Sequence, residues 1–482
     1  MSNATLSPGS MVTAARNRQI VYALAIVVIF GALWPYNEWL SRIKQDKDLG
    51  EATIGQIDTG GFMLKLAMIG GARGVVANAL WTQARSYEKV HEWDKLKNTV
   101  DFITKLQPHF LSIWTYQGWN LAYNVSVEWD APDDKYVWIK KGINFLKDGV
   151  SKNQKSPDLI WDTAWTYYHK IGFADEAIIL RRLFYDDPDD DGTRFRMDPI
   201  TGETRSDNFQ LGYGWFTKAV QKVDNEGGQR VQANFSQDVE YVDKPTQHKG
   251  RPGDMAFRTM PAHAQSRYAS ALEKQSIRDI TPQFGSVARN EWNRAKNAWR
   301  EFGEYEWPAF RFEELMVRVD DSTNPDRYKK LSEVQRYWTD RWAEQTNYKY
   351  WKTRAMAEAE DIGVRARQHF YEGTKALKSA NFPAAVEEYR KGLGDWDQLL
   401  KKPEYKTFRD DDLNQKETRH LVSRYMRALK QIGEKEPDEY PFKDMTNKLN
   451  EEFNPDPFDQ LEMIRTSGTT VTNPARSKPS PK

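Results

Sequence analysis

The sequence predicts an all-α protein whose helices are arranged as antiparallel pairs, and three observations favour this fold. Between residues 77 and 186, apolar side chains recur at the three- and four-residue spacing of a buried helix face. Pro108 and Pro157 divide this stretch, because proline interrupts the hydrogen-bond ladder of a helix. From residue 328 to 379, basic and acidic side chains alternate, which is typical of the ion-paired, solvent-facing sides of long helices.

Composition narrows the classes of function. The 482 residues leave room for two or three domains or for one long array of repeats. The 70 basic and 69 acidic residues give a net charge of +1, so there is no general attraction for nucleic acid. The chain has no cysteine, which excludes disulfides, thiolate metal sites and cysteine nucleophiles.

An apolar segment near the amino terminus predicts a membrane anchor. Residues 20–36 carry no charge and approach the ~20 residues that a bilayer span needs. Trp34, Tyr36 and Trp39 lie at its carboxyl end, where an interfacial aromatic belt would lie. We therefore expect a single transmembrane helix at 20–40. A cleaved signal peptide, which would end in small residues, and a buried core helix are the alternatives.

The basic residues that flank this segment bear on its orientation. Arg16 and Arg18 precede it, whereas Arg42, Lys44 and Lys47 follow it, so the positive-inside rule gives nearly a tie. A short amino-terminal tail commonly stays inside, and we expect the soluble domain to be extracytoplasmic.

A second apolar stretch at residues 62–80 is not expected to span the membrane. It contains Lys65 and Arg73, each of which costs about 3 kcal/mol on insertion. Its glycines instead suit close helix packing.

The predicted organisation is a tail at 1–19, the anchor at 20–40, a connector at 41–61, repeats at 62–184, a loop-rich insertion at 185–260, a helical region at 261–465 and a disordered tail at 466–482.

One unit near the carboxyl end, residues 366–397, resembles a tetratricopeptide (TPR) repeat. Its small and aromatic residues match the repeat in register: Gly373, Ala380, Phe382, Ala385 and Tyr389. The closing proline is missing, and Asp397 lies near its place. Residues 80–184 resemble the same family more loosely, with an insertion at 125–135. The overall plan resembles bacterial membrane-anchored TPR proteins.

The resemblance implies a TPR-like solenoid that binds a protein or peptide on a concave face, and it implies no catalytic activity. Trp114, Trp161 and Trp165 fall where side chains usually pack between helices; for these three, a groove that binds a partner or a glycan is the alternative. Trp119 and Trp129 border the insertion and are expected to be more exposed. We predict that Trp119, Tyr123 and Trp129 contact the partner.

An acidic loop matches the spacing of a calcium-binding loop. Asp187, Asp189 and Asp191 precede Gly192, and Asp198 follows at the last ligand position. Pro188 and the shorter reach of aspartate at the final position weaken the match, and a solvated acidic turn is the alternative. The sequence thus also allows a calcium- or glycan-binding extracytoplasmic module.

No catalytic motif accompanies these features. The seven histidines do not form a zinc-binding spacing, and no nucleophile elbow or nucleotide loop occurs. We expect a membrane-anchored scaffold that mediates protein–protein interaction, without enzymatic activity or a nucleic-acid partner.

Overall fold

A computed structural model describes residues 73–188, 194–226, 255–274, 282–309 and 312–446. Most of these residues are helical, which confirms the expected α-helical class. The described part also contains one small two-stranded sheet. The predicted anchor at 20–40 and the tail at 466–482 lie outside the described residues. Within the described ranges, no helix combines the length and apolar character that a membrane span requires.

The chain forms two compact units, and the division falls between Gln232 and Ala233. The first unit contains three helix pairs in sequence. The first pair is α1 (Arg73–Lys89) and α2 (Trp93–Leu106). In the second pair, α3 (Leu111–Trp119) continues into a π-helical turn, Asn120–Asn124, and a 3-10 turn, Val125–Glu128, before α4 (Pro132–Lys152).

The third pair repeats the plan of the second. Helix α5 (Pro157–Trp165) continues into a π-helical turn, Thr166–Lys170, and then into α6 (Ile171–Phe173). Helix α7 (Ala177–Asp186) returns beside α6. The next helix, α8 (Asn208–Glu226), packs against α5. The predicted breaks at Pro108 and Pro157 therefore coincide with the joints between pairs.

The second unit is also mainly helical. Its first described helix is α9 (Met255–Lys274), so the helical region expected from residue 261 starts earlier, and α10 (Ser286–Glu304) follows. An unpredicted hairpin follows, β1 (Glu306–Ala309) antiparallel to β2 (Phe312–Arg318). The remaining helices are α11 (Pro325–Lys330), α12 (Glu333–Gln345), α13 (Tyr348–Glu358), α14 (Asp361–Lys378), α15 (Phe382–Leu400), α16 (Lys406–Arg409), α17 (Asp412–Gln431) and α18 (Lys443–Thr446).

The pair α14–α15 contains the unit that resembles a TPR repeat. Its turn passes through Ala380, which has a left-handed backbone (φ 58°). Asn381 then caps α15 by accepting a hydrogen bond from the backbone N–H of Ala384. A side chain at Gly373 would begin 3.2 Å from the Tyr389 ring, so the small residue of one helix and the aromatic residue of the other fit together. These contacts explain why both residue types occur in register.

Buried charges join this pair to its neighbours in the second unit. Glu358 is fully buried and accepts two hydrogen bonds from Arg367, at 2.8 Å and 2.5 Å. Arg367 also donates to Glu417 at 2.9 Å, and its guanidinium lies 4.4 Å from the centre of the Trp396 ring. Because α13, α14 and α17 each contribute a charged side chain, the network fixes how these helices meet.

Two glycines of α15 provide a matched test of this packing. An added Cβ at Gly392 would lie 2.7 Å from the Phe370 ring, whereas one at Gly394 would meet nothing within 4 Å. We expect Gly392→Ala to lower the unfolding free energy of the pair by about 1–3 kcal/mol through overpacking. Gly394→Ala should raise it by about 0.5–1 kcal/mol through helix propensity. Hydrogen exchange of the α15 amides measures both effects, and equal shifts would contradict the close approach.

Candidate functional site

The first helices of the second and third pairs widen at matching positions. Each begins with a nine-residue α-helix that ends at a tryptophan, Trp119 or Trp165, and continues into a five-residue π-helical turn. Tyr123 and His169, 46 residues apart, occupy the fourth position of the two turns. Such π-helical turns are rare and frequently occur at functional sites.

Five rings from these two helices form one continuous stack, which we call the aromatic row: Trp161, Trp165, His169, Tyr123 and Trp119. Successive ring centres are separated by 5.3, 4.8, 6.0 and 6.0 Å, and the angles between ring planes are 8°, 10°, 27° and 17°. Trp119 is 46% exposed, and the other four side chains are half-buried. The row is therefore accessible while its rings support one another.

Residues four apart stack along both helices. Positions spaced by four lie about one turn apart in a helix of 3.6 residues per turn, and Trp161 stacks on Trp165 within the α-helical segment. Trp165 and His169, like Trp119 and Tyr123, continue this arrangement into the wider π-helical turns. The two short stacks meet where the Tyr123 hydroxyl lies 3.3 Å from Nδ1 of His169.

The row is electrically neutral along its length. Burial raises the pKa of the Tyr123 hydroxyl above its ordinary range, and the nearby Asp162 carboxylate adds to this effect. Burial, followed by the charge of Lys170, lowers the pKa of His169 below its ordinary value of 6.5. At neutral pH the tyrosine is therefore protonated and the imidazole uncharged. The Lys170 amine lies over the Tyr123 ring, 5.2 Å from its centre.

Polar and close-packed contacts hold the two helices of the row in place. Thr115 donates a hydrogen bond from Oγ1 to Oδ2 of Asp162 at 3.0 Å, which joins α3 to α5. Behind the row, α4 approaches so closely that a Cβ at Gly142 would lie 2.7 Å from the carbonyl oxygen of Gly118. The helices that carry the rings of the row are thus held together by close backbone packing and a hydrogen bond.

The structure divides the three residues predicted to contact a partner between two surfaces. Trp119 and Tyr123 are neighbours in the aromatic row, whereas Trp129 stacks on Trp138 with ring centres 6.2 Å apart. Trp129 is 42% exposed, so the expected exposure of both tryptophans is confirmed. Sequence reasoning missed His169 and favoured core packing for Trp161 and Trp165; the repeated Trp-x-x-x-aromatic spacing at 119 and 165 was the available signal.

The tryptophans expected in the core differ in their outcome. Trp114 is buried, and its Nε1 donates to the carbonyl oxygen of Pro108 at 2.8 Å. Trp161 and Trp165 are only half-buried and belong to the aromatic row. The prediction that Trp161 and Trp165 pack between helices is therefore confirmed only in part.

The two described acids of the predicted calcium loop have protein partners. Asp187 accepts hydrogen bonds from the Tyr136 hydroxyl at 2.7 Å and from the Lys140 amine at 3.0 Å. Asp198 accepts from Arg205 at 3.0 Å and from the backbone N–H of Ile200 at 2.8 Å. Both carboxylates are buried, and a calcium ion would have to displace these cations to use them.

The remaining predicted ligands, Asp189 and Asp191, lie outside the described residues. Just after them, Phe195 is fully buried, and its carbonyl oxygen accepts a hydrogen bond from the Tyr167 hydroxyl at 2.5 Å. The described end of this loop is therefore packed against the helix pairs. Among the described residues, no group of three or more His, Asp or Glu side chains is placed to hold a metal ion.

A comparison with protein-family models gives no match, and neither does a comparison with curated proteins. The function must therefore be argued from the chain itself.

The protonation of His169 tests the geometry of the row. Because burial and Lys170 both disfavour the imidazolium, we expect the ring to titrate below pH 6.5 in a proton NMR experiment on the full chain. The resonance is assigned by its loss in His169→Gln. Lys170→Met should move the midpoint upwards, since it removes the neighbouring cation. A midpoint at or above 6.5 would show that the ring is fully hydrated and the row is open.

Proposed function

We propose that this protein is a membrane-tethered, TPR-like scaffold that binds a protein or peptide partner through the aromatic row. The observation that carries the proposal is the row itself: five stacked rings on neighbouring helices, half-buried or exposed, with Trp119 the most accessible. Core tryptophans of the second unit, such as Trp292 and Trp299, are almost completely buried, whereas the rings of the row stay partly accessible.

The energetics of recognition favour this kind of surface. Tryptophan and tyrosine are enriched among the residues that dominate binding energy at protein interfaces. Trp119 and Tyr123 are already stacked on each other, so little side-chain freedom remains to be lost on binding. The five rings are uncharged, with the Lys170 amine beside them, and this neutrality suits apolar and aromatic contact with a partner.

The helix pairs support the resemblance to TPR repeats. In α14–α15, the fit of Gly373 against Tyr389 is the small-to-aromatic contact that the repeat pattern implies. In the first unit, three successive pairs pack side by side. Arrays of such pairs bind partners along one face without performing chemistry, and the proposal accordingly assigns binding and no reaction.

The partner can be sought with a photo-crosslinking amino acid placed at residue 119 of the full chain in its native membranes. We expect the same protein to be captured from position 119 and, in a second variant, from position 123. Capture should fall about tenfold when Trp165→Ser disrupts the row, the loss that follows removal of a strong interface contact. Tyr185, also exposed at 41%, supplies the control position and should not capture that protein. Equal capture from positions 119 and 185 would refute the assignment.

The membrane tether is proposed from the uncharged segment at residues 20–36. We expect the full chain to resist extraction from membranes by alkaline carbonate. A variant with Val27→Arg and Val28→Asp should be released, because each charge costs about 3 kcal/mol at the centre of a span. Val27→Leu with Val28→Leu is the matched control. Retention of the charged variant would show that this segment is not the anchor.

A further inference from the structure

The connections within the first unit place three turns along one edge. Helices α1, α3 and α5 each lead, through residues 90–92, 129–131 and 174–176, into the antiparallel partner of their pair. Neighbouring turns contact one another: Glu128 accepts from His91 at 2.7 Å and from Trp93 at 3.2 Å, and Lys135 forms an ion pair with Glu176. We call residues 89–93, 127–135 and 173–176 the turn edge.

The connections between successive pairs lie at the opposite edge, where polar side chains close them. There Asn153 donates to the carbonyl oxygen of Pro108 at 2.8 Å, and its side-chain oxygen lies 2.9 Å from Nδ1 of His109. Residues 107–110 and 153–156 contain a single large apolar side chain, Phe110, which is half-buried. This edge is sealed by polar contacts.

The turn edge, in contrast, exposes large apolar side chains at every turn. Val90 is 61% exposed, Val127 56%, Trp129 42% and Phe173 41%. Four of the eight exposed large hydrophobic residues in the described part of the first unit therefore lie along this edge. Single exposed apolar residues are common on protein surfaces, but these four lie on turns that contact one another, and apolar residues rimmed by polar ones suit an interaction surface.

The charge of the turn edge is strongly negative. Its residues include seven carboxylates and two lysines. Glu128 contacts His91 and Trp93, and Glu176 forms an ion pair with Lys135. Four exposed acids make no ion pair with any described residue: Asp130, Asp133, Asp134 and Asp175. Asp133 and Asp134 lie in the first turn of α4, where they favour its amino terminus, and Asp175 interacts electrostatically with Lys170.

We propose that the turn edge binds a basic amphipathic helix of a partner protein. Its apolar face would cover the four exposed apolar residues, and its lysines or arginines would meet the unpaired acids. Neighbouring helices pack about 10 Å apart, so the three turns extend over about 20 Å, which a helix of ~14 residues covers. The same negative charge disfavours an anionic membrane surface.

The proposal is tested with the purified full chain in detergent and a labelled 18-residue helical peptide of leucine and lysine, whose binding is followed by fluorescence anisotropy. We expect this peptide to bind, and its affinity to fall about tenfold between roughly 50 mM and 500 mM salt as the charges are screened. A peptide of the same pattern with glutamate for lysine should not bind. Equal binding of both peptides would overturn the proposal.

Matched variants locate the binding surface. Trp129→Ser combined with Phe173→Ser, and separately Asp130→Lys combined with Asp175→Lys, should each weaken the peptide about tenfold or more. Tyr185→Ser combined with Ile200→Ser changes exposed apolar residues elsewhere in the unit and should have no effect. Circular dichroism confirms that each variant is folded. Unchanged binding by both edge variants would refute the assignment.

Two further measurements separate this surface from its alternatives. Trp119→Ser should leave peptide binding intact; loss of binding in that variant alone would assign the peptide to the aromatic row instead. In phosphatidylcholine vesicles with brominated chains, we expect the fluorescence of Trp129 to be preserved. Quenching that disappears in Trp129→Ser would show that the edge contacts lipid, and the partner helix would be rejected.

Discussion

The close approach of α3 and α4 is the constraint on which the first unit depends. Three glycines lie at this contact. A Cβ at Gly118 would overlap the Leu146 side chain, one at Gly142 would meet the backbone of Gly118, and one at Gly149 would lie 2.9 Å from the Trp114 ring. Because the backbones meet directly, α3 cannot rotate about its axis, and Trp119, one residue after Gly118, is held on the outer side.

The first π-helical turn is packed against the same contact. Gly142 also lies against Ala122, inside this turn, so the widened segment is packed from behind. Tyr123, in the same turn, meets His169 of the third pair. The matching turn after α5 places His169 in the complementary position, and the two short stacks become one.

Local features of the fold could be predicted from the sequence, whereas contacts between pairs could not. Helical spacing and Pro108 and Pro157 located the pairs correctly, since these signals act within a few residues. The β1–β2 hairpin was missed because β1 has four residues, one of them a proline, and shows little alternation. For the site, exposure of Trp119 and Trp129 could be expected from their position beside an insertion. The meeting of Tyr123 with His169 depends on the packing of two helices, and no local pattern encodes it.

The two surfaces of the first unit differ in chemistry although they share a boundary. Phe173, on the turn edge, stacks on His169 at 6.1 Å, so apolar contact continues from one surface to the other. The aromatic row is neutral and rigid, which favours a partner recognised by shape and apolar contact. The turn edge is negative, and charge there chiefly sets the rate and selectivity of encounter. A partner that carried a basic helix beside an apolar segment could engage both surfaces in succession. The second contact would then form at high effective concentration, and two modest interactions would together give a stable complex.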